Sequence, residues 1–298
     1  MGKSNSMRKR AVRAEKPMRC KGFMRYLQWA VAALVLIIVL YPIYQLLILS
    51  LRPLVDIRHY IYQVQSRGVR FIPVYLIPRA FSFEQYLLTV DDVFLRAYGV
   101  AVLYTMAVTA IHFPIAFVLG FSFAKLRFLG KDVLFFLFIA SMVLPFHVTV
   151  VPLNQVLHRL GLFDTPWAVI LPGAFAPLGV FLFRQFISQV PDETLEAAAI
   201  DGAGLLRTLV FIVLPMIRYG LSVFLLLTIT LQWGAIEPVL AFVRQEEWRP
   251  VSLLLRDMMA RNPSGIFAPG VLYMLPMLLV YGAVRTAQKK IKDETTSL

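Results

Sequence analysis

The sequence predicts an all-α, polytopic membrane protein with six transmembrane helices and both termini on the same side. Three observations carry that prediction. Of 298 residues, 59% are hydrophobic and only 16% charged, an apolar share above and a charged share below those of ordinary soluble domains. Six windows are free of Asp, Glu, Lys and Arg: residues 26–51, 97–124, 133–158, 165–183, 219–236 and 262–284. Each is long enough to cross about 30 Å of hydrocarbon as a helix. Finally, all nine lysines fall on one side of the membrane when the loops are assigned alternately.

The expected spans lie at about 26–51, 97–124, 133–153, 165–184, 217–237 and 264–285. A charge near the bilayer centre costs roughly 3 kcal/mol, which explains why the charges are confined between the windows. A transmembrane barrel would instead show segments of about ten residues with alternating polarity. The single cysteine, Cys20, excludes an internal disulfide framework. The net charge of +13 invites a nucleic-acid reading, but basic loops on one side of a membrane explain it, and no nucleic-acid partner is expected.

Residues 1–25 form a basic tail with nine Lys and Arg, followed by the 26–298 transmembrane domain. The first apolar run is too long for a cleavable signal, so it is expected to remain as an anchor. With the termini inside, interior segments hold nine, three, three and four basic residues, against six, one and four outside. The positive-inside rule then places both ends in the cytoplasm. Met1-Gly2-Lys3-Ser4-Asn5-Ser6 fits an acylation pattern, but an acyl chain adds almost nothing to six spans.

The exterior loop 52–96 is apolar and proline-rich around Phe71-Ile72-Pro73-Val74-Tyr75-Leu76-Ile77-Pro78, and is expected to pack as a cap or lie at the interface. Pro42, Pro114, Pro145, Pro172, Pro177, Pro269 and Pro276 punctuate the spans; kinks at these positions suit either a solute pathway or an ordinary bundle.

Residues 185–218 form an interior loop too long for a simple helix connection. Pro191 suits a first helical turn, Asp192, Glu193 and Glu196 complement the positive helix end, and Ala197 to Ala199 favour continuation. Gly202 marks a stop. A second short helix from about Ala203 to Val213 should end near Pro215. The product is a surface helix-turn-helix, either a docking element whose alanines allow close approach or simply an amphipathic hairpin.

Glu196-Ala197-Ala198, three residues, Gly202, nine residues, and Ile212-x-Leu214-Pro215 resemble the EAA signature of permease subunits of binding-protein-dependent ABC importers of type I. Flanking segments are similar to the carbohydrate branch, in particular its MalG-like second permease: Arg127-Phe128-Leu129-Gly130-Lys131, Val143-Leu144-Pro145 through Val151-Pro152-Leu153, Leu160-Gly161-Leu162-Phe163-Asp164-Thr165, and Phe181-x-Phe183-Arg184-Gln185-Phe186. The chain departs from that pattern at Gly234, Tyr219 and Gly99-Val100, where the family usually carries Asn, Pro and Asn-Ser.

The resemblance implies a permease in the bacterial or archaeal cytoplasmic (inner) membrane, importing a sugar or oligosaccharide. Its implied partners are a cytoplasmic ATP-binding subunit dimer, a second related permease, an extracytoplasmic solute-binding protein and membrane lipid. Glu196, Ala197, Ala198, Asp201, Gly202 and Pro215 would couple the ATPase to the spans. Asn154, Gln155, Gln232 and Trp233 are candidate solute-pathway contacts, with helix-end solvation and packing as the alternatives. No ATPase site of its own is expected, because Gly2-Lys3-Ser4 lacks room for a preceding phosphate loop; no cofactor or metal is called for.

An ion-coupled secondary transporter is the alternative. Such proteins carry ionisable groups near the midplane, and the windows offer only His112, His147 and His158. A membrane enzyme would need a motif such as His-Glu-x-x-His or Gly-x-Ser-x-Gly, neither of which occurs, and Asp91-Asp92 reads as a solvated pair.

Overall fold

A computed structural model describes residues 18–66, 76–78 and 80–296. Most of the basic tail and the segment Phe71 to Tyr75 therefore lie outside the described residues. Every regular element among the described residues is helical.

The first helix, α1 (Met18–Ser50), is followed by α2 (Leu54–Gln65) and α3 (Glu84–Thr89). These two short helices lie in the 52–96 segment, which was expected to pack as a cap or lie at the interface. Ile57 of α2 is fully buried, and the Gln85 amide of α3 donates to the carbonyls of Leu49 and Arg52, both at 2.8 Å. The Tyr44 hydroxyl also donates to the carbonyl of Leu76.

Helix α4 (Asp92–Lys125) runs unbroken through 34 residues. The Asp91 side chain caps it by accepting from the amide of Phe94 at 2.7 Å. Helix α4 is the centre of the bundle, packed against α7 (Trp167–Ala174), α8 (Pro177–Ile187) and α12 (Arg218–Trp233). Its approach to α8 is close because two positions lack side chains. A Cβ on Gly120 would lie 2.5 Å from the Cβ of Phe183, and one on Gly179 would lie 2.4 Å from Nε2 of His112. Phe113, Phe117, Phe183 and Phe224 interlock there at ring-centroid distances of 4.7–6.1 Å, geometry that aromatic pairs favour.

Four stretches are individually long and apolar enough to cross a membrane: Arg25–Ser50, Asp92–Lys125, Trp167–Ile187 and Phe267–Lys290. Two more arise only as bent pairs. Helices α5 (Lys131–Met142) and α6 (Phe146–Arg159) meet at 105°, and the stretch Leu205–Met216 meets α12 at 84°. Counting each bent pair as one span raises the number from four to six, by length and composition. The third, however, is broken at Pro145, whose extended backbone (φ −62°, ψ 142°) starts α6 in a new direction. The prolines do not act alike, since Pro42, Pro114 and Pro276 sit inside continuous helices. After α13 (Glu237–Phe242) and α14 (Val251–Arg261), the last helix α15 (Phe267–Thr296) packs against α1 and α12.

Candidate functional site

The 185–218 segment folds into a hairpin at one end of the bundle, where α4, α8 and α12 terminate. Helix α8 ends at Ile187, Val190 is buried, and extended Pro191 delivers the chain into α9 (Asp192–Ile200). A single cation fixes this entry. Nζ of Lys125, at the end of α4, donates to the Val190 carbonyl at 2.5 Å and to Oδ1 of Asp192 at 2.6 Å. The ammonium's hydrogen bond and charge hold the Asp192 carboxyl below the usual carboxylate range.

Helix α9 divides its faces by the 3.6-residue period. Leu195 and Ala198 turn inward, Leu195 against the largest core cluster and Ala198 only 5% exposed. Glu193, Glu196, Ala197 and Ile200 share the opposite face at i, i+3, i+4 and i+7, all exposed. Ile200 is 87% exposed. Thus Ala198 of the signature packs within the chain and is not part of the presented surface, whereas Glu196 and Ala197 are.

Gly202 performs the predicted turn. Its φ is +75°, the amide of Ala203 donates to the Ala198 carbonyl at 2.9 Å, and its own amide donates to the Ala199 carbonyl at 3.1 Å. These paired bonds are a Schellman ending, which needs a left-handed residue after the cap residue Asp201. A Cβ on Gly202 would meet nothing within 4 Å, so backbone conformation alone demands glycine there.

The returning strut differs from its prediction. It begins with α10 (Leu205–Thr208), opens into a π turn over Leu209–Val213, and continues as α11 (Leu214–Met216). Pro215 therefore lies within the helical path and does not end it; the break comes at Ile217 (φ −100°, ψ 20°). A proline cannot donate to the carbonyl four residues back and its ring crowds that carbonyl, so the wider π turn just before Pro215 relieves both problems. Leu209, Val213 and Ile217 point into the core beside Phe183, Ile187 and Phe224. Leu205 and Leu206 project outward, Leu206 being 75% exposed. With Ile200 they form an apolar rim among Glu193, Glu196 and Asp201. The rim was not anticipated from the sequence, although the spacing of Ile200 from Glu196 and Glu193 is readable there.

The four candidate pathway residues lie on two elements, Asn154 and Gln155 on α6 and Gln232 and Trp233 at the end of α12. Trp233 is 3% exposed, and it is a lock between α12 and α15. Its Nε1 donates to the Tyr273 carbonyl at 3.1 Å, the Tyr273 hydroxyl donates back to the Trp233 carbonyl at 3.2 Å, and the rings stack at 5.5 Å. Tyr98 closes the remaining side edge-on at 5.4 Å. The contacts of Trp233 are those of packing, the alternative that the sequence left open beside a solute contact. Gln232 is half-buried, its Oε1 facing Gly173 of α7. Asn154 is half-buried and Gln155 exposed, both on α6, which packs on α13.

Of the histidines, His112 is buried with Nε2 2.9 Å from the Ala176 carbonyl, at the break between α7 and α8. His158 stacks on Phe163 at 4.0 Å, and His147 lies 4.0 Å from a Glu237 oxygen with both groups exposed. No group of three or more potential metal ligands occurs among the described residues. At the far end of the bundle Asp164 adopts φ +62° and accepts from the amides of Arg244 (2.6 Å) and Gln245 (3.0 Å). Those amide bonds hold its carboxyl below the usual range.

The described residues form a polytopic helical bundle with a glycine-turned surface hairpin, the architecture of a membrane permease subunit. The chain superposes on a crystal structure of a bacterial ABC transporter involved in the import of the acidic polysaccharide alginate. The TM-score is 0.77 at 19% identity, over 90% of this chain and 97% of that one. The chain belongs to the family of binding-protein-dependent transport system inner membrane components, whose pattern matches residues 114–293. AraQ, the arabinooligosaccharides transport system permease of Halalkalibacterium halodurans, is 24% identical over 84% of this chain and 88% of its own length. Protein LplC of Bacillus subtilis is 29% identical over 61% of this chain; the match spans 62% of LplC. UgpE of Yersinia enterocolitica, an sn-glycerol-3-phosphate transport permease, is 33% identical over 43% and 46% of the two chains.

Proposed function

We propose that this chain is the membrane-spanning subunit of an ATP-driven importer of a sugar or oligosaccharide, in an inner membrane with both termini in the cytoplasm. A separate cytoplasmic ATPase dimer grips the hairpin, a second related permease completes the pathway, and an extracytoplasmic binding protein delivers solute. The observation that carries the reading is the hairpin. An apolar rim of Ile200, Leu205 and Leu206 stands exposed among acidic side chains on a helix whose ends are pinned by Lys125 and the Gly202 turn. Exposed aliphatic side chains with a polar surround are the features of a docking surface.

Movement of α9 would reach the spans directly, because α8 leads into it and α10, α11 and α12 lead out. ATP binding then shifts the bundle between inward-open and outward-open states only by favouring one of them. Catalysis of ATP hydrolysis belongs to the partner. The sugar assignment is supported by the extent of the likeness to AraQ and by the carbohydrate-type segments flanking the hairpin.

Reconstitution tests this. Proteoliposomes holding the chain, its partner permease and the ATPase should accumulate oligosaccharide only with ATP and the binding protein present. Uptake driven by an ion gradient through this chain alone would instead establish a secondary transporter.

A further inference from the structure

At the hairpin end, the termini of α4, α5 and α8 border an open pocket of about 300 Å³ lined by Phe123, Lys131, Asp132, Arg184, Gln185 and Ser188 among others. Neither the hairpin's docking surface nor the pathway makes use of it. Two cations face it, and both are held by groups other than carboxylates. The Arg184 guanidinium lies 3.7 Å from the centroid of the Phe135 ring, and its Nε donates to the Phe123 carbonyl at 3.3 Å. Those two contacts fix the plane of the fork, while its two terminal nitrogens have no hydrogen-bond partner among the described residues. Nζ of Lys131 donates to the carbonyls of Leu126 (2.9 Å) and Ala124 (3.4 Å) at the end of α4.

A planar, pre-oriented guanidinium beside an ammonium is the arrangement that binds phosphate oxygens well. The first turn of α5 has no side-chain cap and adds its positive end. Asp132 is the one carboxylate lining the pocket.

The surroundings decide between a free anion and an amphiphile. Immediately along α5 from Lys131, the side chains of Val133, Leu134, Phe136 and Leu137 are all exposed on an apolar spanning segment. On the other side lie exposed Arg127 and Asp192, at the water-facing hairpin. A ligand in this pocket therefore has its charged part beside Arg184 and Lys131 and its neighbouring part against hydrocarbon-facing aliphatic groups. The geometry points to the phosphate of an anionic phospholipid, seated between α4, α5 and α8 at the headgroup level of the leaflet nearest the hairpin. Basic pockets between spanning helices take such headgroups in general. This site depends on these helices crossing a bilayer, and is independent of which solute is carried.

Native mass spectrometry of the assembled transporter, released from detergent, provides the test, with phosphatidylglycerol, phosphatidylcholine and inorganic phosphate as probes. The expected result is selective retention of phosphatidylglycerol that inorganic phosphate does not displace. Lys131→Gln should weaken that retention roughly fivefold, the effect of removing one cation near a membrane surface. Asp132→Asn should strengthen it several-fold, a direction that misfolding cannot imitate. Equal retention of the two lipids, displacement by inorganic phosphate, or unchanged retention in both variants would each overturn the assignment.

Discussion

The two ends of α12 are built on opposite plans. At its far end the Trp233 indole and the Tyr273 and Tyr98 hydroxyls each donate to a nearby carbonyl, and Trp233 is buried between the two half-buried tyrosines. At its near end the chain bends by 84° into a hairpin that leaves Ile200, Leu205 and Leu206 exposed, with its entry held by one lysine and its turn by one glycine. The far end is complete within the chain. Among the described residues, the near end has an outward surface that is left exposed and an inner surface packed on the core. The contrast teaches where stability and coupling should separate: substitutions at one end should unfold the protein, and substitutions at the other should leave it folded and uncoupled.

Trp233→Ala should break the far end most severely. Removing a buried tryptophan costs about 3–5 kcal/mol, which thermal unfolding of the purified protein would register as a large fall in midpoint. Trp233→Phe, which keeps an aromatic ring and loses only the bond to Tyr273, should recover most of that loss. If Trp233→Ala left the midpoint unchanged and impaired only uptake, the lock would be a solute contact after all.

A smaller effect belongs to the hairpin turn. Gly202→Val places a β-branched residue at positive φ, at a cost of roughly 1–2 kcal/mol. It should leave global unfolding nearly unaltered while raising proteolysis at the hairpin and lowering the transport obtained per ATP hydrolysed. Because nothing surrounds the missing Cβ, Gly202→Asn should be far milder, since asparagine tolerates the left-handed region. Equal damage from both substitutions would mean that steric contact with a partner, and not backbone conformation, governs this position.

The smallest effect concerns pH. The depressed Asp192 carboxyl contributes stability that is present above the unfolded-state value near 3.9 and is lost as pH falls through the lower folded value. Hairpin protection in hydrogen exchange should therefore be flat between about pH 5 and 8 and decline only in stronger acid. A transition near neutrality would have to come from another group.

Much of this was legible in the sequence, because the cost of a charge in hydrocarbon leaves a mark on every span and the left-handed turn leaves one at Gly202. The 105° break at Pro145 was not. Pro42, Pro114 and Pro276 lie in unbroken helices, so a proline within an apolar run does not by itself mark the break. Whether Trp233 packs or faces a pathway was left open by the sequence, because its partner Tyr273 lies 40 residues further along the chain. Pro215 looked like a helix stop because a π turn leaves no signature in single-residue propensities. The inward turn of Ala198 was readable from helical period only once Leu195 was known to face the core.

Single-cysteine crosslinking across the two faces of α9 addresses the central claim most directly. In membranes containing the assembled transporter, cysteines at Ala197 and Ile200 should crosslink efficiently to the ATPase subunit, with yields that change on ATP binding, while a cysteine at buried Ala198 should not. Equal yields from both faces, or no ATPase captured from either while uptake proceeds, would contradict it.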